Sequence, residues 1–242
     1  MSDGPPLLEV RDLSAGYGET IAVRDLSLSV EPGRTVVLIG PNGHGKTTLL
    51  RAVSGLIKPV RGEILLRGER IDGLTAERIA GMGIVHVMQG DGLFPDMSVE
   101  ENLLMGSFPT NSWGDRRAAL ARVYELFPQI QERRGQRART LSGGERRLVA
   151  LGRGLMRDAV LLLIDEPSLG LAPVMIDTVY RAIREIRERL DTTVLLVEEN
   201  FTHIAGIADV VHVIEMGGIV RSGTFEELAS DRTVVETYLG TL

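Results

Sequence analysis

The sequence predicts an α/β fold: a parallel-sheet core, an N-terminal antiparallel β subdomain and an inserted helical subdomain. Three observations predict it. Short, continuously apolar runs rich in β-branched residues recur along the chain, as strands buried on both faces require. Amphipathic helical patterns separate several of them, the arrangement of parallel βα units. From about residue 94 to residue 157 the strand signal stops and helical patterns remain.

Each element follows in order. Leu26-Ser-Leu-Ser-Val30 alternates apolar and polar residues, so the first ~30 residues read as antiparallel strands. Glu31-Pro-Gly33 is a turn. Strands are expected at Thr35–Ile39, Ile84–Val87, Val160–Ile164, Thr193–Val197 and Val210–Ile214. Helices are expected at Lys46–Val53, Val174–Leu190 and Phe201–Ala208. In the middle region Ser98-Val-Glu-Glu101 has the capping-box pattern of a helix start. Arg116–Phe127 places Leu120, Val123, Tyr124 and Phe127 on one helical face. Gly144–Met156 reads as a further helix. Gly217-Gly218 marks a late hairpin, and short helices near Glu226 and Glu236 close the chain.

Composition limits the functions open to this fold. The 242 residues are 43% apolar and 25% charged, ordinary for a folded chain of one large domain. A net charge of −6 gives no bulk positive field for nucleic acid or anionic lipid. The absence of cysteine excludes disulfides, thiolate catalysis and zinc–thiolate sites, and it permits a reducing compartment. The longest apolar stretch, Ala159–Ile164, is far short of the ~20 residues that cross a bilayer. Met1–Pro6 lacks the basic and apolar regions of a signal peptide. A cytosolic chain is expected, unless a partner holds it elsewhere.

Only Lys46 and Lys58 among the 27 basic residues are lysines. Lys58 sits in a Lys-Pro turn. Lys46 sits in Gly40-Pro-Asn-Gly-His-Gly-Lys-Thr47, followed by Thr48, directly after an apolar strand and before a helix. This is G-x-x-x-x-G-K-[ST] in its required context, a P-loop. Glycines let backbone N–H groups converge on phosphate oxygens, and the following helix aims its positive end at them. Lys46 would reach the β- and γ-phosphates of ATP, and Thr47 would bind Mg²⁺. The expected fold is therefore that of a P-loop NTPase with a RecA-like sheet. Asp165 and Glu166 end the strand Val160–Ile164, where open α/β sheets bind ligands. Asp165 would support Mg²⁺, and Glu166 would act as general base on the attacking water.

With these residues the chain resembles the ATP-binding-cassette ATPases, over roughly residues 7–242. Leu141-Ser-Gly-Gly-Glu145 matches their signature motif, about 20 residues before Asp165-Glu166. As a bare pentapeptide it could equally cap a helix through Ser142. The resemblance implies that Ser142, Gly143 and Gly144 contact the γ-phosphate held by an opposing subunit, so that two cassettes pair head to tail around two ATP molecules. It implies that Tyr17 stacks on adenine, that Gln89 contacts Mg²⁺ and joins the helical subdomain, and that Ser168–Pro173 forms the D-loop. The implied division is a tail at 1–6, a nucleotide-binding core at 7–88 and 158–242, and a helical subdomain at 89–157.

A narrower likeness rests on Phe94-Pro-Asp-Met-Ser-Val-Glu-Glu-Asn-Leu103, Ser168–Pro173, Leu196-Val-Glu-Glu-Asn200 and Tyr238-Leu-Gly240. These segments resemble the second ATPase subunit of bacterial branched-chain amino-acid importers, whose relatives serve urea and short amides. The likeness implies a second ATPase subunit, two transmembrane permeases, an extracytoplasmic solute-binding protein acting indirectly, and a place on the cytoplasmic face of the inner membrane. Three positions depart from the wider family. His44 replaces a small P-loop residue, Ala172 replaces a D-loop aspartate, and Glu199 stands where most members have a switch histidine near the γ-phosphate. Glu199 thus joins Glu166 and Gln89 as a candidate catalytic residue, and His203 is a candidate to compensate. Soluble cassette clamps usually carry two cassettes, and this length holds one. The guanine motif Asn-Lys-x-Asp is excluded, because Gly45 and Ile57 precede the two lysines.

Overall fold

The computed structural model describes residues 5–108 and 115–234. Among these the chain forms two sheets. The first is antiparallel, ordered β2 (Thr20–Val30), β1 (Leu8–Tyr17), β4 (Arg61–Leu66), β5 (Glu69–Arg70). The second has six strands, ordered β10 (Gly218–Gly223), β9 (Val210–Glu215), β3 (Thr35–Ile39), β8 (Thr193–Glu198), β7 (Leu161–Asp165), β6 (Ile84–Val87). Its pairs are parallel except β9–β10, which close as a hairpin.

Every residue of β3, β7 and β8 is buried. Their side chains alternate between two cores, as the two-residue period of a strand demands. Val36, Leu38, Leu161, Leu163, Leu195 and Val197 face the antiparallel sheet and α1 (Lys46–Val53). Val37, Ile39, Leu162, Ile164, Val194 and Leu196 face the opposite way. That second core is shared with α3 (Val99–Met105), α4 (Asp115–Leu126), α5 (Pro128–Gln131), α6 (Gly143–Gly154) and α7 (Pro173–Leu190). Between β6 and β7 the described residues hold helices and one isolated bridge, Ser98 to Arg137.

The strands expected in the six-stranded sheet match within one residue, and α1 matches at both ends. The capping box forms as written: Ser98 Oγ accepts the Glu101 N–H, and the Glu101 carboxylate accepts the Ser98 N–H. The helix expected over Phe201–Ala208 is corrected to a single 3₁₀ turn, Phe201–Ile204. Asn200 caps that turn by accepting the Thr202 N–H, and Gly206 turns left-handed at φ 72°, ending the helical path. The hairpin β4–β5 and the helix α2 (Ala76–Gly81) had no counterpart in the sequence reading. Their signals were local: Arg67-Gly68 both adopt positive φ, and Thr75 caps α2. The late helix near Glu226 is α8 (Phe225–Ser230), while Glu236 lies outside the described residues, as do residues 1–4 and Tyr238–Gly240.

Candidate functional site

The carboxyl ends of β3, β7 and β8 converge, and the P-loop lies across them. Gly40 donates its N–H to the Glu198 carbonyl at 3.3 Å, tying the start of the loop to the end of β8. Gly45 takes φ 97°, and a Cβ there would lie 2.5 Å from the Ala22 carbonyl, so the turn into α1 requires glycine. Lys46, Thr48 and Gly45 are buried, while Asn42 and Gly43 are exposed at the tip. Pro41 accepts Lys46 Nζ at 3.1 Å, and Gly40 accepts it at 2.7 Å.

The acidic half of the site meets the P-loop directly. Lys46 Nζ stands 3.1 Å from Glu166 Oε1, both side chains almost fully buried. Gln89 Nε2 donates to Glu166 Oε2 at 2.9 Å. The Thr47 hydroxyl donates to Asp165 Oδ1 at 3.0 Å. Burial, aided by the neighbouring Glu166 charge, raises the Asp165 carboxyl above its usual range despite the Thr47 bond. Glu166 itself adopts φ 45°, an uncommon conformation for a non-glycine residue. Its N–H is held by the Val197 carbonyl.

Glu199 is exposed and faces the P-loop: Asn42 Nδ2 donates to its Oε2 at 2.8 Å. His44 turns away from the loop interior, where its Nδ1 accepts the Met216 N–H at 3.3 Å. Ala172 sits at the N-cap of α7 with no side-chain bond. His203 packs its ring on Tyr180 at 5.7 Å and borders a cavity with Asp177 and Arg184. Glu166 and Glu199 border a different cleft, of about 310 Å³, which His203 does not line.

The remaining candidates lie apart. Tyr17 is 46% exposed; it accepts a hydrogen bond from Arg51 at 2.8 Å, and that guanidinium stands 5.9 Å from its ring centre. Ser142 caps α6 and forms a second capping box with Glu145. Gly144 packs closely on Met175: a Cβ would meet its Cε at 2.0 Å, so the methionine end would have to shift. Among the described residues, no hydrogen bond joins Ser142, Gly143 or Gly144 to the P-loop.

Sequence reasoning missed the arginines that couple α6 to the Gln89 segment. Arg147 is buried and donates to the carbonyls of Gly90 and Met88 and, at 3.5 Å, to that of Glu166. Arg146 pairs with Asp91 at 2.7 Å, and Arg153 donates to the Gly92 and Asp91 carbonyls. The available signal was the run of arginines just after the Ser142 motif, which reads as a solvated face until the packing is known.

A P-loop joined to a strand-end carboxylate pair is the geometry of a nucleoside triphosphatase. The family model described as ABC transporter matches residues 23–169. This chain belongs to the ABC transporter family. Binding and hydrolysis of ATP coupled to transport is the activity of that family. The chain is 42% identical to the high-affinity branched-chain amino acid transport ATP-binding protein BraG of Pseudomonas aeruginosa, over 97% of this chain and 100% of that one. It is 35% identical to LivG of Escherichia coli K12, also described as a high-affinity branched-chain amino acid transport ATP-binding protein, over 97% and 98%. Among solved structures, the ADP conformation of an ABC transporter cassette superposes with TM-score 0.86 at 26% identity, covering 98% of this chain and 100% of that one.

Proposed function

We propose that this chain is the ATP-hydrolysing subunit of an importer for branched-chain or other hydrophobic amino acids. The observation that carries hydrolysis is the buried junction of Lys46, Glu166 and Gln89, with Thr47 bonded to Asp165 beside it, and the 42% identity to BraG supports the substrate class. Arriving phosphate oxygens compete for the Lys46 ammonium, which otherwise rests on Glu166 and two loop carbonyls. Its transfer to phosphate frees the Glu166 carboxylate to accept a proton from water. Gln89 holds the far oxygen of that carboxylate and links it to the Asp91 segment gripped by α6.

The oxygen donors Thr47, Asp165 and Gln89 suit Mg²⁺, a hard cation that shares its shell with nucleotide phosphates. Among the described residues no three His, Asp or Glu side chains gather to hold a metal alone, so the ion would arrive with its nucleotide. Mg²⁺ would supply neutralisation of phosphate charge. Tyr17 would stack on adenine after releasing Arg51. Ser142, Gly143 and Gly144 would meet the γ-phosphate of a second ATPase subunit, with α6 pointing its N-terminus outward.

No helix among the described residues is long and apolar enough to cross a membrane. Attachment would run through two permease subunits at the inner membrane. Phe94, 42% exposed beside the Gln89 segment, and half-buried Met97 are the candidate apolar anchors. The test is co-expression with the permeases, followed by reconstitution with the solute-binding protein and internal ATP. The chain should sediment with membranes, and the vesicles should accumulate leucine. Accumulation of urea or acetamide instead would reassign the substrate. Binding of the chain to protein-free liposomes would contradict attachment through protein.

A further inference from the structure

Four donors converge on one carboxylate that the scheme above does not use. Glu198 ends β8 and is 2% exposed. Its Oε1 accepts the Tyr180 hydroxyl at 2.6 Å and the Ser168 N–H at 3.3 Å. Its Oε2 accepts the N–H groups of Glu199 at 2.8 Å and of Asn200 at 3.4 Å. Tyr180 comes from α7, Ser168 from the loop two residues after Glu166, and Glu199 and Asn200 from the segment facing Asn42. One side chain therefore joins three separate pieces of chain.

All four partners donate. An ionised carboxylate is the side chain with acceptor sites for all of them and no proton to misplace. A glutamine in the same position must turn its NH₂ toward N–H or O–H donors on one side. The Tyr180 hydroxyl stays protonated, because burial and the Glu198 charge push it far above its ordinary value. Buried Arg147 supplies countercharge: desolvation pulls its guanidinium down, while Asp91, Asp165 and Glu198 oppose that. A buried network that is satisfied throughout rigidifies what it joins.

We propose that Glu198 is a positioning residue for hydrolysis, locking the Ser168 loop behind Glu166 and the Glu199 segment beside the P-loop into one unit. Its effect on turnover rests on the ATP-hydrolysing role; its effect on the two loops does not. The experiment is amide hydrogen exchange on the full chain, with ATP affinity, kcat and KM measured alongside. In Glu198→Gln, exchange over residues 168–171 and 199–202 should accelerate together by about tenfold or more. ATP affinity should stay within about threefold while kcat falls about tenfold or more. Tyr180→Phe keeps the charge and removes one donor, so the same two segments should accelerate by about threefold. It also serves where Glu198→Gln does not fold. Acceleration of one segment alone, acceleration spread to the P-loop and β-strands, or unchanged kcat in folded Glu198→Gln would overturn the proposal. Absence of hydrolysis in the wild type would count against the ATPase role, and the exchange pattern would still decide the role of Glu198.

Discussion

Lys46 has three oxygen partners, and one of them, Glu166, is the candidate base. The pairing explains how a lysine and a glutamate can both be buried at a strand end. Among the described residues Glu199 has no such compensation: its side chain accepts a hydrogen bond from the neutral amide of Asn42. A carboxylate about 4 Å from a phosphate oxygen costs roughly 4 kcal/mol per charge pair at an effective dielectric of 20, and less at an exposed position such as this. Glu199→Gln should therefore tighten ATP binding, by about tenfold at low salt and by less as ionic strength rises. Titration with a fluorescent ATP analogue at two salt concentrations checks this; weaker binding by the variant would show that Glu199 assists the site. The P-loop, Asp165 and Glu166 were legible because their meaning depends on adjacency along the chain, and Glu199 only through the family resemblance. Glu198 and Arg147 were not, since a charged residue shows its value only when distant segments bury it.

One side chain of α3 makes four hydrogen bonds to the segment from Phe94 to Ser98. Asn102 is fully buried; its Oδ1 accepts the Phe94 N–H at 2.8 Å, and its Nδ2 donates to the carbonyls of Phe94, Met97 and Ser98. Removing the side chain leaves the Phe94 N–H without its acceptor and opens a cavity, while the carbonyls of Phe94, Met97 and Ser98 each keep a backbone donor. Asn102→Ala should lower the free energy of unfolding by about 2–3 kcal/mol, read from urea titrations at unchanged slope. A loss below about 0.5 kcal/mol would mean that water replaces the amide without cost. At this scale the buried strands were read from continuous apolar runs and the helices from period and caps. Arg61–Leu66 was missed because Arg-Gly-Glu-Ile-Leu-Leu shows neither the alternation of a half-buried strand nor a full apolar run. Phe201–Ala208 was misread because its apolar spacing fits a helix, whereas the Asn200 cap and Gly206 allow one turn.

Across the whole molecule, the P-loop and the Ser142 segment belong to different regions and share no hydrogen bond among the described residues. On the proposed reading, a phosphate held by the P-loop of one chain is completed by the capped N-terminus of α6 from a second cassette. Hydrolysis and pairing are linked on that reading: ATP should assemble two cassettes, and its cleavage should release them. The proposed pairing with a second subunit comes through family resemblance, because no feature of a single chain's composition encodes a composite site. The most direct measurement is ATP turnover and gel filtration of Glu166→Gln beside the wild type, each with Mg²⁺ and ATP. The variant should bind ATP normally, lose turnover by about 10²–10⁴-fold, and elute as a nucleotide-dependent dimer. Wild-type turnover in the variant, with no dimer retained, would remove Glu166 from the mechanism and contradict the account.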